Sequence, residues 1–283
     1  MISTSTRTIA IIGDPIQHSL TPRIQNAALQ TAGADIVNLA FRVSPDQLEN
    51  AVKGAQSLGF LGLMVTIPHK EAVLPLCDEL HESAQLIGAA NLLHFHPDGR
   101  IIGHSSDGWA AVKSLQEEGI SLQNRRVAIL GGGGSARSLA MTFARAGVAH
   151  LQILNRTPAR AEKIAAEVAD FGASVSSGIL EADSLWNIDL VVNSTSVGMT
   201  PGIDATPLPA AWLRPEIAVY DIVYNPLETR LLREARALGC HAVDGLGMLI
   251  YTNVYAAQIG AGVEISATIM RQEALRALQD ESS

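Results

Sequence analysis

Four consecutive glycines, Gly131-Gly132-Gly133-Gly134, follow the apolar run Val127-Ala128-Ile129-Leu130 and lead through Ser135-Ala136 into a helical pattern. A strand that runs into glycines and then a helix brings unpaired backbone amides to one point, which is chemistry for a pyrophosphate. The spacing is that of G-x-G-x-x-G/A, with Ala136 taking the alanine option. About 20 residues further on, such a unit normally carries an Asp or Glu for the ribose 2′-hydroxyl. Here the next strand, Leu151 to Leu154, ends in Asn155-Arg156-Thr157, and Arg160 follows. No carboxylate repels a 2′-phosphate there, and two guanidiniums can receive one. Arg160 also falls in the first turn of its helix, where the macrodipole disfavours a cation unless an anion is near. These residues favour NADP, with NAD as the alternative. Two more side chains have catalytic character. Lys70 closes Thr66-Ile67-Pro68-His69-Lys70 at the end of an apolar strand, and a lysine tuned by burial and a partner acts as acid or base. Asp107, in Gly103-His104-Ser105-Ser106-Asp107-Gly108, sits at a second strand-to-helix junction. Taken alone, Lys70 reads as a surface lysine and Asp107 as a helix cap.

The elements that must position these groups alternate along the chain. Thr8 to Ile12 is a strand ending at Gly13, and Thr21-Pro22 gives the next helix an N-cap with proline behind it. Asp35 to Val43 is a strand, and Ser44-Pro45-Asp46-Gln47 has the spacing of a capping box. Leu48, Ala51, Val52 and Ala55 then form the stripe of an amphipathic helix that Gly59 ends. Phe60 to Ile67 is nearly all apolar, as a strand covered on both faces must be. A second series runs through Val127 to Leu130, a helix with Ala136, Leu139, Ala140 and Phe143, and Leu151 to Leu154. Thr157-Pro158 opens a helix carrying Ala161, Ile164, Ala165 and Val168. Strands at Leu190 to Asn193 and Ile217 to Ile222 and a helix with Leu227, Leu231, Ala235 and Leu238 complete it. The tail from Leu246 reads as two helices interrupted near Gly260-Ala261-Gly262. This is α/β architecture with largely parallel sheets. The division is an α/β domain over 1–107, completed by helices over 244–283, and a nucleotide domain over 108–243, with a cleft between the two.

The chain has 283 residues, long enough for two ordinary domains. With 47% hydrophobic and 17% charged residues it is no disordered chain. There are 20 Lys and Arg against 28 Asp and Glu and no basic tract, which speaks against a nucleic-acid partner. Cys77 and Cys240 are isolated and give neither a disulfide framework nor a metal-ligand spacing. Met1 to Thr6 has no apolar leader core, and Thr252, Asn253 and Gln258 break the apolar stretch from Leu246. The expectation is a soluble cytoplasmic protein, with no membrane partner and no metal, compatible with a homodimer.

Several ordered motifs together resemble the shikimate/quinate dehydrogenase family over nearly the whole length. Gly13-Asp14-Pro15-Ile16-Gln17-His18-Ser19-Leu20-Thr21-Pro22 is similar to that family's G-x-P-x-x-H-S-x-S-P, and Val65-Thr66-Ile67-Pro68-His69-Lys70 to its V-T-x-P-x-K. Gly88-Ala89-Ala90-Asn91 matches G-A-x-N, and Ser106-Asp107-Gly108 stands for T-D-G. The glycine loop, Asn155-Arg156-Thr157, Asn193-Ser194-Thr195, Tyr220-Asp221-Ile222-Val223-Tyr224 and Asp244-Gly245-Leu246-Gly247-Met248-Leu249 have counterparts too. The resemblance implies a substrate-binding α/β domain, a Rossmann-type domain and C-terminal helices returning to the first. It implies reversible hydride transfer between NADP and a ring hydroxyl of shikimate or a close analogue, as in aromatic amino acid biosynthesis. In that reading Lys70 and Asp107 form the proton-transfer pair, and Ser19 and Thr21 hold the substrate carboxylate. Thr21 lies at a helix N-terminus, where an anion is welcome, although a plain N-cap would need the same hydroxyl. Thr66 and Asn91 would bind ring hydroxyls, Tyr224 would lie near the carboxylate, and Thr252 takes a substrate-side position. Gly131, Gly133, Gly134, Ser135, Ala136, Asn155, Arg156, Thr157, Arg160, Asn193 and Thr195 would serve the cofactor, with Gly245 and Met248 facing the nicotinamide. His18 and His69 read as structural.

The departures from that family are Met64 for its usual Asn, Leu92 for Thr, Ser105 for Asn and Thr252 for Gln. A buried hydroxyl facing Met64 or Leu92 would lose a partner, so the sequence predicts poor activity on shikimate and better activity on an analogue with a changed hydroxyl. The alternatives are a quinate or aminoshikimate-type dehydrogenase using NAD, and a non-catalytic nucleotide-binding redox sensor. Retention of both Lys70 and Asp107 speaks against the sensor.

Overall fold

The computed structural model describes residues 2–281. It comprises two compact units, one built from the residues up to Ser106 and those from Ile250 onward, the other from Asp107–Leu249. In the first unit, β1 (Arg7–Gly13), α1 (Thr21–Thr31), β2 (Ile36–Arg42), α2 (Leu48–Ser57) and β3 (Gly62–Val65) alternate, and β1 pairs in parallel with β2 and β3. Then β4 (Glu79–Leu80), α3 (Glu82–Ile87), β5 (Leu92–Phe95) and β6 (Ile101–His104) complete a six-stranded sheet ordered β2-β1-β3-β5-β6-β4. Here the expectation of parallel pairing fails locally, because β5 runs antiparallel to both neighbours. The link from β5 to β6 is too short for a crossover, so the two must form a hairpin. Gly99, at φ +94°, turns it, and Pro97-Asp98-Gly99 between apolar runs is its sequence signal.

The second unit contains α4 (Asp107–Glu117), β7 (Arg126–Leu130), α5 (Gly134–Arg145), β8 (His150–Leu154), α6 (Pro158–Ala169) and β9 (Val175–Gly178). It continues through β10 (Leu190–Asn193), β11 (Ala218–Asp221), α7 (Arg230–Ala237) and β12 (Ala242–Val243). Its sheet is parallel throughout, in the order β12-β11-β10-β7-β8-β9. That is the doubly wound arrangement, with its switch point between β7 and β10. The stripe read from the sequence does the packing: Ala136, Leu139, Ala140 and Phe143 of α5 are all fully buried. On the other side, Ala128, Leu130, Val191 and Val219 pack with Leu231, Leu232 and Ala235 of α7. The chain ends in α8 (Leu246–Ala261) and α9 (Ala267–Glu281), and the boundary between units falls inside α8 at Ile250.

The sheet of the first unit is covered on both faces. Ala10, Ile12, Leu63, Val65 and Leu93 cluster with Leu48, Val52 and Ala55 of α2, while Ile11, Met64 and Leu92 cluster with Ile16 and with Ala256 of α8. Period-2 alternation thus sends neighbouring residues of one strand to two different cores.

Two helix starts differ from their sequence signals. Leu20, not Thr21, is the N-cap residue of α1, and Thr21 is already helical, so its hydroxyl is not spent on a backbone cap. The capping box at Ser44–Gln47 does not form. Asp46 takes the side-chain hydrogen bonds of both Ser44 and Gln47, Pro45–Gln47 becomes a 3-10 turn, and α2 begins at Leu48.

Candidate active site

At the carboxyl edge of the second sheet, β7 delivers the chain into Gly131 at φ +134°, a conformation that favours glycine. A Cβ on Gly131 would lie 2.5 Å from Ser194 Oγ, and one on Gly132 would lie 2.8 Å from Arg160 Cβ and 2.9 Å from Asn155 Nδ2. Gly131 is therefore fixed by close approach as well as by the turn, and Gly132 by close approach. Gly133 is the N-cap residue of α5, and the amides of Gly134, Ser135 and Ala136 open the helix without intrahelical carbonyls. Ala136 is fully buried, so only its backbone can face a ligand. Ser194, which the sequence reading left without a role, donates its hydroxyl to the Leu130 carbonyl at 2.7 Å. It ties the loop after β10 to the end of β7 across the switch point.

Asn155 donates its amide to the Thr157 carbonyl at 3.0 Å, which shapes the turn into α6. Arg156, Thr157 and Arg160 are exposed, and among the described residues neither arginine makes an ion pair. Arg137 nearby, by contrast, is paired with Glu167 at 2.6 Å. Arg160, whose Cβ lies beside Gly132, and exposed Arg156 thus carry guanidiniums without an ion pair among the described residues.

Asn193 and Thr195 are bonded to one another at the end of β10. Asn193 is fully buried; its amide nitrogen donates to Asp221 at 2.9 Å and to the Val197 carbonyl at 3.2 Å. Its oxygen accepts from the Thr195 backbone and hydroxyl, at 3.1 and 2.6 Å. The pair holds the exit turn of β10, and that is a positioning role for Asn193. Asp221 also accepts from the Val223 amide and from the Thr229 hydroxyl, which in turn caps α7 through the Leu232 amide. Burial pushes the Asp221 carboxyl up to about 6 against the opposing pull of these hydrogen bonds. Gly245 has a packing reason of its own, since a Cβ there would overlap the Ile222 carbonyl. Met248 is buried in the first turn of α8, behind the Asp244 carboxylate that accepts from the Leu246 amide at 2.9 Å. Tyr224 is half-buried in the segment after β11.

In the first unit, the segment after β3 carries half-buried Thr66 and Lys70. It is clamped by Thr66 N–H on the Ile12 carbonyl at 3.0 Å, Ala90 N–H on the Lys70 carbonyl at 2.8 Å, and buried His69, whose Nε2 meets the Val43 carbonyl at 2.7 Å. That is the structural role read for His69. Asn91 is buried; its amide donates to Ser106 Oγ at 3.0 Å and its oxygen accepts from the Ser106 amide at 2.9 Å. Asn91 therefore fixes the residue immediately before Asp107, which is buried and is the first residue of α4. Ser19 Oγ accepts from the Thr21 amide at 3.4 Å, and Thr21 Oγ accepts from Asn253 Nδ2 at 3.4 Å. Thr252 is half-buried on α8 beside Asn253. His104 escaped the sequence reading: it stacks on His81 at 4.8 Å and meets the Tyr255 hydroxyl at 3.3 Å. Burial, with His81 and His94 close by, lowers it to about 4, so it is neutral at physiological pH.

Residues 11–93 match the model of the shikimate dehydrogenase substrate-binding domain, and residues 112–203 that of shikimate/quinate 5-dehydrogenase. The shikimate dehydrogenase (NADP(+)) of Moorella thermoacetica is 42% identical over 274 residues, covering 95% of this chain and 92% of its own. The chain belongs to the shikimate/quinate dehydrogenase family. Among solved structures, a shikimate dehydrogenase in complex with NADP+ superimposes with TM-score 0.92 at 38% identity, covering 98% of both chains. The ligand-free 5-ketofructose reductase of Gluconobacter sp. strain CHM43 gives 0.90 at 34%, covering 97% of this chain and all of its own. The family's two-domain α/β architecture is the fold described above.

Two of the departures from the family pattern lose their expected meaning. Met64 and Leu92 face each other across β3 and β5 and are buried in the cluster with Ile11, Ile16 and Ala256. They fill a core, and the penalty argued for ligand hydroxyls facing them falls away.

The polar lattice around Asp221 has a testable pH dependence. A carboxyl raised to about 6 from 3.8 contributes stability that is full below about pH 4 and lost as pH rises through about 6. Urea midpoints of the parent and Asp221→Asn at pH 4 and pH 7 should show the parent favoured more at pH 4, by up to about 3 kcal/mol. A difference independent of pH would place the Asp221 titration outside this range.

Proposed function

We propose that the chain catalyses reversible hydride transfer between NADP and a ring hydroxyl of shikimate, reducing 3-dehydroshikimate in the biosynthetic direction. The observation that carries the substrate reading is the bonding of Ser19 and Thr21. Each hydroxyl oxygen accepts from a protein N–H, so each retains its own hydrogen to donate. Two O–H donors beside a helix N-terminus suit a carboxylate, whereas a neutral ketose offers no anion to them. Thr66 and Asn91 bind ring hydroxyls in this reading, with Asn91 also steering Ser106, and Tyr224 and Thr252 complete the substrate side.

The residues present fit the cofactor. Gly131 and Gly132 leave the room that a Cβ would fill, and the amides of Gly134, Ser135 and Ala136 are aimed as an anion cradle. Gly133, Asn155, Thr157 and Thr195 border the same loops, while Arg156 and Arg160 supply unpaired charge for the 2′-phosphate. NADP, when bound, supplies the hydride acceptor or donor. Lys70 and Asp107 hold and move the proton at the reacting hydroxyl: one gives it up as the other stabilises the charge that forms. Ser106, anchored by Asn91, and the Lys70 carbonyl, anchored by Ala90, fix the backbone on which both catalytic side chains stand.

A quinate or aminoshikimate preference with NAD is the second reading, and the absence of a carboxylate at the end of β8 weighs against it. A sensor without turnover has no use for Lys70 and Asp107 together. Among the described residues no helix is long and apolar enough to cross a membrane. A cytoplasmic setting fits the two free cysteines, and a homodimer fits β2, an edge strand on which Leu39 and Phe41 are exposed.

Comparing kcat/KM for shikimate, quinate and an aminoshikimate with both nicotinamides tests the proposal, and shikimate with NADP should lead. Lys70→Ala should lower kcat by about 10²–10⁴-fold, while NADPH affinity, followed by fluorescence titration, stays within about twofold. Near-normal turnover would remove Lys70 from the proton path. Replacing Arg156 and Arg160 together by Ala should reduce the NADP-over-NAD ratio of kcat/KM at least about tenfold, the equivalent of one 1.4 kcal/mol contact. An unchanged ratio would sink the phosphate assignment.

A further inference from the structure

Four polar side chains lie in the interior of the first unit with almost no exposure: Thr21 at 2%, and Gln25, Asn38 and Asn253 at 0%. They come from α1, β2 and α8, and they are joined in sequence. Asn38 Nδ2 donates to Gln25 Oε1 in a short hydrogen bond, and Gln25 Nε2 donates to the Asn253 backbone carbonyl at 3.1 Å. Asn253 Nδ2 then donates to Thr21 Oγ at 3.4 Å. The far end is clamped as well: Asn26 accepts from the Asn38 amide at 2.6 Å and donates to the Asn38 carbonyl at 2.9 Å.

Such a chain is expensive to bury. Asn38 Oδ1 has no partner, and a buried polar atom in that state costs stability. Its immediate neighbour, Met64, sits with its sulfur 4.0 Å from Gln25 Nε2 and 3.9 Å from Asn38 Nδ2, and belongs to the apolar cluster with Ile11, Ile16 and Leu92. An all-apolar filling of the same space would serve stability better. What the amides provide is direction. Every link runs from an amide N–H to an oxygen, and the last link makes Thr21 Oγ an acceptor. Among the described residues the Thr21 hydroxyl hydrogen has no acceptor of its own.

We infer that Asn253 is a positioning residue that sets the Thr21 hydroxyl as a donor toward the substrate carboxylate, with Gln25 and Asn38 holding Asn253 in place. Without Asn253, the hydroxyl can turn its lone pair to the anion and its hydrogen to the protein. With Asn253, only the donating orientation is left. The inference rests on the reading of Ser19 and Thr21 as the carboxylate site.

A double-mutant cycle on the intact enzyme tests it, with shikimate as the probe and kcat and KM measured separately. Asn253→Ala should raise KM for shikimate about three- to tenfold with kcat within about twofold. Asn253→Asp, which offers an acceptor to the hydroxyl hydrogen, should raise KM further. Thr21→Val should raise KM at least about tenfold, and adding Asn253→Ala to it should change nothing more. If Thr21→Val leaves KM untouched, the carboxylate reading itself fails. If Thr21→Val raises KM and Asn253→Ala either has no effect or multiplies fully with it, Asn253 does not act through Thr21 and the positioning role is overturned. Should Asn253→Asp not fold, the Asn253→Ala arm carries the same test, with its thermal midpoint checked alongside.

Discussion

The carboxylate of Asp221 joins three elements where the strands of the second sheet end. It takes hydrogen bonds from Asn193 at the end of β10, from the backbone after β11, and from Thr229 at the start of α7. A parallel sheet delivers all its strands to one edge, and the segments that leave that edge have no ladder to hold them. Here one buried acid supplies the order that the ladder no longer can. Because all three partners are donors, an acceptor-only group is the right occupant, and burial is what raises its pKa. The exit turn of β10, and through Ser194 the mouth of the glycine loop, inherit their positions from this lattice.

The first unit solves a similar problem with neutral groups. The segments after β3 and after β6 are held by neutral hydrogen bonds: Thr66 to the Ile12 carbonyl, Ala90 to the Lys70 carbonyl, His69 to the Val43 carbonyl, and the paired bonds between Asn91 and Ser106. None of these needs a charge. The amide chain from Asn38 to Thr21 extends the same economy into the core. It accepts a stability cost beside Met64 in exchange for a fixed hydroxyl orientation, and such costs persist where function needs them.

The substrate side shows how a polar-to-apolar change can mislead. Met64 and Leu92 depart from the family pattern toward apolar residues, yet they pair across β3 and β5 and pack with Ala256 of α8. The Met64 sulfur in turn lies against the buried amides of Gln25 and Asn38. Asn38 lies in the apolar run Ile36-Val37-Asn38-Leu39-Ala40-Phe41, and that lone amide is the signal by which a sequence reading could have found the network.

The sequence by itself determined the elements whose information is local. The apolar run into four glycines fixed β7, its turn and the start of α5, and Asn155-Arg156-Thr157 stands after β8 where a carboxylate would otherwise end the strand. The apolar stripes of α2, α5 and α6 were legible because helical period alone decides which face is buried. Only the tertiary structure decided what those faces and caps meet. Thr21 is not a cap because Leu20 takes that place, and the Ser44–Gln47 box gives way to Asp46. Asn193 supports a turn because Asp221, 28 residues on, lies against it, and Thr21 receives its hydrogen bond from a residue 232 positions away. A repeat of 2 or 3.6 residues says which way a side chain points. Which partner waits there is set by the packing of segments far apart in the chain, and for buried polar groups that partner decides the role.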